Sequence, residues 1–204
     1  MIVKDAFRFL IPLFVSAALA FVLGLYLAAF LVMLLAAFVA FFFRNPKREI
    51  PSDPRVIVSP ADGRVVKVER VGKVTKLSIF LSIFDVHVNR SPMAGRIETI
   101  EYKRGKFRPA FNHAASVENE RNIVMVAQGD LKLVFTQIAG IIARRIVCWK
   151  KVGDAVSKGE LIGLIRFGSR VDVLLPAGAE ATVESGMRVR GGSSAIGIIK
   201  SDDD

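Results

Sequence analysis

From Phe9 to Phe43 the chain carries no charged residue, while Lys4, Asp5 and Arg8 precede this stretch and Arg44, Lys47 and Arg48 follow it. That contrast is a membrane signature. As one helix the stretch would extend on the order of 50 Å, well beyond a hydrocarbon core of about 30 Å. A transmembrane helical hairpin is therefore expected, with spans near Phe9 to Leu23 and Leu27 to Phe43 and a turn at Gly24-Leu25-Tyr26. The hairpin sets both basic flanks on one side, and their excess of Lys and Arg marks that side as cytoplasmic. A secretory signal peptide is the competing reading, but its apolar region would be much shorter, and no small-residue cleavage site precedes Arg44.

Residues 1–43 thus read as an anchor at the cell membrane. Residues 44–54, with Pro46, Pro51 and Pro54 among charges, read as a linker, and residues 55–204 as a domain on the cytoplasmic face. The formal charge of +10 lies almost wholly after the hairpin. It suits anionic membrane lipid. Nucleic acid is not an expected partner, because no zinc-finger, RNP or helix-turn-helix pattern accompanies the charge. Cys148 is the only cysteine, so no intramolecular disulfide is possible, and in the run Ile146-Val147-Cys148-Trp149 it reads as a small buried hydrophobe.

The domain is patterned in short β-branched runs, among them Val56-Ile57-Val58, Lys76 to Leu81, Ile123 to Val126 and Leu131 to Phe135. Gly, Asp and Pro punctuate them, and no long amphipathic helix intervenes, so a mainly β fold is expected. Gln128-Gly129-Asp130 predicts a hairpin turn. Val152-Gly153-Asp154-Ala155-Val156-Ser157-Lys158-Gly159 recurs weakly as Ser185-Gly186-Met187-Arg188-Val189-Arg190-Gly191-Gly192, which marks a reused β-turn-β unit. This turn is similar to that of the biotinyl and lipoyl barrel-sandwich domains, so the fold class expected is a barrel-sandwich-like β domain with few short helices. The carrier lysine of those domains is missing.

Conventional chemistry finds little support. With two histidines, His87 and His113, and one cysteine, a metal site is not expected. There is no Gly-x-Ser-x-Gly elbow and no P-loop. What stands out is Gly168-Ser169, which interrupts a strand-like run from Leu164 to Leu175 and by itself reads as a bulge.

Three further segments precede it in order: Val58-Ser59-Pro60-Ala61-Asp62-Gly63-Arg64-Val65, Leu81-Ser82-Ile83-Phe84-Asp85-Val86-His87-Val88-Asn89-Arg90-Ser91-Pro92, and Glu118-Asn119-Glu120-Arg121-Asn122. Together with Phe167-Gly168-Ser169 they resemble the phosphatidylserine decarboxylase family, in its short, membrane-anchored form, over nearly the whole chain. The resemblance implies a pyruvoyl enzyme that cleaves itself into 1–168 (β chain) and 169–204 (α chain). The Ser169 hydroxyl attacks the Gly168 carbonyl, the resulting ester eliminates, and the residue left behind becomes a covalent pyruvoyl group, with neither pyridoxal phosphate nor metal. The group forms a Schiff base with phosphatidylserine, accepts the electrons released with carbon dioxide, and yields phosphatidylethanolamine.

The resemblance also gives roles to residues. His87 is expected to be the proton donor or phosphate-side group. Asp62 matches the aspartate tied to self-cleavage and Asp85 a second carboxylate, although either residue can instead shape a turn. Arg90, His113 and Phe167 are expected to line the substrate site. One departure matters: longer relatives have a second histidine three residues after the first, where this chain has Arg90, which leaves the cleavage base open. Another Gly-Ser step, Gly192-Ser193, would release only a short tail with little to hold it. A homodimer is consistent with the resemblance. An ether-lipid (archaetidylserine) decarboxylase and a non-enzymatic barrel-sandwich adaptor are the alternatives.

Overall fold

The computed structural model describes residues 1–106, 118–140, 145–166 and 169–200. Two compact units divide the chain, Met1–Lys47 and Arg48–Asp204.

In the first unit, helix α1 (Phe7–Val22) and helix α2 (Tyr26–Phe42) form the expected hairpin. Gly24 makes the turn at φ +74°, a left-handed conformation that glycine adopts without strain. The open ends of the hairpin are tied together: Val3 N donates to the Phe43 carbonyl (3.1 Å), Asn45 N to the Met1 carbonyl (2.7 Å), and Phe9 stacks on Phe43 with ring centroids 5.7 Å apart. With the short turn Lys4–Ala6 before it, the first helix runs 19 residues from Lys4 to Val22, long and apolar enough to cross a membrane; the second is apolar but has 17 residues.

The second unit is mainly β, as the sequence predicts. Its strands are β1 (Val56–Val58), β2 (Gly63–Val71), β3 (Val74–Leu81), β4 (Val88–Arg90), β5 (Gly95–Lys103), β6 (Arg121–Gln128), β7 (Leu131–Ala139), β8 (Ile146–Cys148), β9 (Ala155–Val156), β10 (Leu161–Ile165), β11 (Ser169–Leu174), β12 (Ala179–Ala181), β13 (Arg188–Val189) and β14 (Ala195–Ile199). Eight of them form an antiparallel sheet in the order β13-β2-β3-β11-β7-β6-β5-β9, and the others form two three-stranded sheets, β1-β14-β12 and β4-β10-β8. Ile57 and Ile196 from one small sheet, Ile146, Ile162 and Ile165 from the other, and Leu77, Ile79, Phe135, Val171 and Val173 from the large one share a single core.

The repeat in the glycine turns extends further than those turns. The strands β9 and β13 that follow Gly153 and Gly186 close the two opposite edges of the large sheet, and β10 and β14 are the centres of the two small sheets. The segments that receive the turns are also alike. Gly192 N donates to the Ser59 carbonyl and Gly159 N to the Ser91 carbonyl, both at 2.8 Å, while Ser59 Oγ reaches the Ala61 carbonyl (2.6 Å) and Ser91 Oγ the Met93 carbonyl (2.7 Å). Each segment ends on a glycine, Gly63 or Gly95, where a Cβ would stand 2.1 Å from the Phe80 carbonyl oxygen or 2.3 Å from that of Ala127. The paired strands slip register at matching places, Val65/Lys67 and Ile97/Thr99. The domain is therefore built from two halves of matching topology and register that meet where β11 pairs with β7.

The halves differ at one junction. In the second, Gln128 and Leu131 close the β6–β7 ladder and are joined by the predicted turn at Gly129 (φ +60°). In the first, the corresponding pair is Leu81 and Ser169, which the chain reaches from distant points in sequence.

Candidate functional site

Ser169 is the first residue of β11 and stands between Leu81 on β3 and Ala139 on β7. It shares a strand face with Val171 and Val173, which belong to the core. Its Oγ is buried and has no hydrogen-bond partner among the described residues. An unsatisfied buried hydroxyl costs about 1–3 kcal/mol, which makes this serine a poor choice for packing alone. Gly168 and Phe167, expected beside it, and His113 lie outside the described residues.

The segment after Leu81 leads from Ser169 to the far side of the same junction. Ser82 N and Ser82 Oγ donate to Asp85 Oδ2 at 2.8 and 2.7 Å, and Asp85 N returns to the Ser82 carbonyl at 3.0 Å, closing a tight turn. His87 follows, 1% exposed, with Nδ1 2.9 Å from the Asp85 carbonyl oxygen. A carbonyl can only accept, so Nδ1 carries the proton, and in the neutral ring Nε2 keeps its lone pair. The His87 carbonyl accepts from Ile165 N (3.2 Å), the last residue of β10. The segment from Leu81 to His87 thus meets β11 at Ser169 through its first residue and β10 at Ile165 through its last. Asp85 shapes this loop through its carboxylate, and Arg188 Nη1 approaches its other oxygen at 3.5 Å.

Asp62 lies toward the β13 edge. Its carboxylate receives both hydrogen bonds from Arg48 Nη2, each 2.8 Å, and one from Gly191 N at 2.8 Å. Arg48, from the stretch read as linker, is thereby held against the β unit, with its side chain 8% exposed. Arg90 completes the cluster: it donates from Nη1 to the Gly159 carbonyl (2.9 Å), and its Cδ sits 2.9 Å from where a Cβ on Gly192 would be. Burial and the neighbouring Arg48 pull the Arg90 guanidinium below its usual range, against the opposite pull of Asp62. The repeat helps to read Asp62. Its counterpart is Ala94, in a turn with the same backbone bonds, so the turn itself does not need a carboxylate.

Two sets of buried polar residues at this junction were not anticipated. Directly after Ser169, Arg170 and Asp172 alternate along β11 on the face opposite the core, a pattern that in a strand ordinarily means solvent. Instead both are buried. Arg170 Nε donates to Asp172 Oδ1 (2.6 Å) and Arg170 Nη2 to Ser78 Oγ on β3 (2.7 Å), while Lys76 Nζ lies 3.0 Å from Asp172 Oδ2. Burial pushes the Asp172 carboxyl up, but the cations of Arg170 and Lys76 outweigh it and hold the group below the usual carboxylate range.

The second set is amide. Asn119 Nδ2 donates to the carbonyl of Ala139, the partner of Ser169, at 2.7 Å. Asn122 Nδ2 donates to Gln137 Oε1 (2.9 Å) and Gln137 Nε2 to Asn89 Oδ1 (2.8 Å), all three buried. The Asn119–Asn122 motif thus braces β7 where it holds Ser169. Its only sequence signal was the ordered motif itself.

Among the described residues no group of three His, Cys, Asp or Glu side chains is placed to hold a metal ion. Cys148 is half-buried rather than buried, because β8 is an edge strand of its sheet. Burial raises its thiol pKa, which leaves it a poor nucleophile.

Comparison with known proteins shows the family of the chain. The family model for phosphatidylserine decarboxylase matches residues 35–197, from α2 through the strands on either side of Ser169. Phosphatidylserine decarboxylase proenzymes of Solibacter usitatus and Carboxydothermus hydrogenoformans are 56% and 50% identical to this chain over 156 and 168 residues. The matched regions cover 76% of this chain and 76% of the first relative, and 78% and 79% for the second. A proenzyme of the same name from Chlorobium phaeobacteroides is 43% identical over 166 residues, 78% of each chain. The chain belongs to the phosphatidylserine decarboxylase family.

Proposed function

We propose that this chain decarboxylates phosphatidylserine to phosphatidylethanolamine, after cutting itself between Gly168 and Ser169 and converting Ser169 to a pyruvoyl group. The observation that carries the reading is the Ser169 hydroxyl, buried and unpartnered among the described residues at the end of a strand paired on both sides. In the cut, Oγ attacks the Gly168 carbonyl carbon and the amide C–N bond gives way to an ester. Loss of the Ser169 α-proton then breaks the Cβ–Oγ bond and releases the Gly168 carboxylate. Hydrolysis of the remaining enamine, with loss of ammonia, leaves the ketone.

The site suits such a group. A segment beginning at Ser169 retains β11 between β3 and β7, β13 on β2, and β14 on β1, so it stays in place without the peptide bond before it. When present, the pyruvoyl carbonyl would supply an electron sink for the pair left on the α-carbon of an amine-bearing substrate as its carboxylate departs as carbon dioxide. The chain's own residues do the rest. His87, its Nδ1 proton committed to Asp85, offers Nε2 to move a proton at the substrate carbon, while Asp85 holds the loop that positions the ring. Asp62, with Arg48 and Arg90, serves self-cleavage or the headgroup, because the sister turn shows no structural need for it. The hairpin anchors the chain in the cell membrane with its tied ends, which carry Lys4, Arg8, Arg44 and Lys47, at the cytoplasmic face.

Release of labelled carbon dioxide from phosphatidylserine carrying the label in its serine carboxyl tests the function. The wild-type chain is expected to release it and Ser169→Ala is not. Release by Ser169→Ala at the wild-type rate would overturn the role given to Ser169.

A further inference from the structure

The loop that holds His87 has an outward side. Asp85 and His87 turn inward, but Ile83 and Phe84 at its tip are 37% and 66% exposed. Arg188, which approaches Asp85, pairs in register with Arg64 on β2. Met187, 45% exposed, offers its carbonyl to Val65 N at 2.9 Å. Val66 on β2 and Arg190 just after β13 are exposed beside them, and Glu184 stands at the start of the turn. The result is an apolar tip and an apolar turn flanked by Arg64, Arg188 and Arg190.

The repeat supplies an internal control. In the second half the positions of Val66, Met187, Arg188 and Arg190 are taken by Glu98, Asp154, Ala155 and Ser157, although the backbone bonds of the turn are the same. The fold therefore requires neither the methionine nor these two arginines. The Ser82–Val86 loop also has no counterpart: its place in the second half is the two-residue turn Gly129-Asp130. Exposed Ile, Phe and Met side chains gain by transfer from water to an apolar or interfacial environment, and a basic surround selects an anionic partner.

We propose that this face docks on an anionic lipid bilayer, with Ile83, Phe84 and Met187 entering the headgroup region and Arg64, Arg188 and Arg190 meeting lipid phosphates. The proposal rests on the decarboxylase reading only in naming why the surface is there. The docking loop is the one whose two ends touch β11 at Ser169 and β10 at Ile165, so a headgroup enters the site while its acyl chains stay in the bilayer.

Full-length protein carrying Phe84→Trp, and separately Val152→Trp on the exposed turn of the other half, is reconstituted in phosphatidylcholine vesicles with brominated acyl chains, with and without phosphatidylglycerol. The parent chain, whose only tryptophan is Trp149, gives the background. Quenching at position 84 and not at 152, strengthened by phosphatidylglycerol, is the expected result. No quenching at 84, or equal quenching at both, overturns the proposal. In activity assays on mixed vesicles, Arg64→Gln/Arg190→Gln and Ile83→Ser/Phe84→Ser are each expected to raise the KM in surface phosphatidylserine on the order of tenfold, with kcat and self-cleavage unchanged. An unchanged KM counts against docking. A parent chain with no decarboxylase activity would sink the proposed function instead, and the quenching comparison alone then decides docking.

Discussion

Ser169 stands opposite Leu81 at a ladder end where, in the other half of the domain, Gln128 and Leu131 are joined by a two-residue turn. The fold has left open, at one of two equivalent places, the connection that would have made an ordinary hairpin. A serine that begins a strand there can become a chain terminus without loss of any ladder pairing. The same opening admits the Ser82–Val86 loop and brings His87 to the site.

Asp172 and Arg170 hold β11 to β3 immediately after the cut. Replacing Asp172 by Ala leaves the Arg170 guanidinium buried without its carboxylate, and removing one partner of such a pair costs about 3–5 kcal/mol. Urea unfolding of the processed protein should show a loss of that size, together with easier release of the C-terminal piece.

The same carboxylate gives a pH dependence. Its folded pKa lies below the ordinary value, so its contribution to stability is fully present above the unfolded carboxylate pKa of about 4 and is lost as pH falls through the folded value. Thermal melts of wild type should therefore lose stability below about pH 4 more steeply than melts of Asp172→Asn.

His87→Ala should lower kcat/KM for decarboxylation by about 100-fold or more, the usual contribution of a positioned general acid or base. Carbon dioxide release measures this loss. A gel of the same preparation reports self-cleavage separately and shows whether His87 serves one reaction or both.

Asp62→Ala copies the sister turn at Ala94. Circular dichroism should show an intact β fold, while self-cleavage slows at least about 100-fold if the carboxylate takes part in proton transfer. Arg48→Ala releases the same carboxylate from its ion pair and tests whether that contact restrains it.

Much of this was legible in sequence. An uncharged run too long for one span gave the hairpin to within two residues, and the glycine turns gave the repeat. The other half of the repeat, Ser59-Pro60-Ala61-Asp62-Gly63 against Ser91-Pro92-Met93-Ala94-Gly95, shares Ser, Pro and Gly at the same spacing. It was hidden inside segments read for chemistry. Arg170 and Asp172 could not be placed from alternation alone, because charge at every second strand position means solvent unless the two neutralise each other. Asn89, Gln137 and Asn122 are far apart in sequence: the β6–β7 pairing sets Asn122 opposite Gln137, and Asn89 meets Gln137 from a strand of another sheet.

The most direct measurement is the intact mass of the purified protein, with sequencing of any new N-terminus. Two pieces are expected, ending at residue 168 and beginning at residue 169, the second blocked to sequencing and lighter than an N-terminal serine would make it, as a ketone requires. A single full-length chain, or a cut at Ser193, would contradict the role assigned to Ser169.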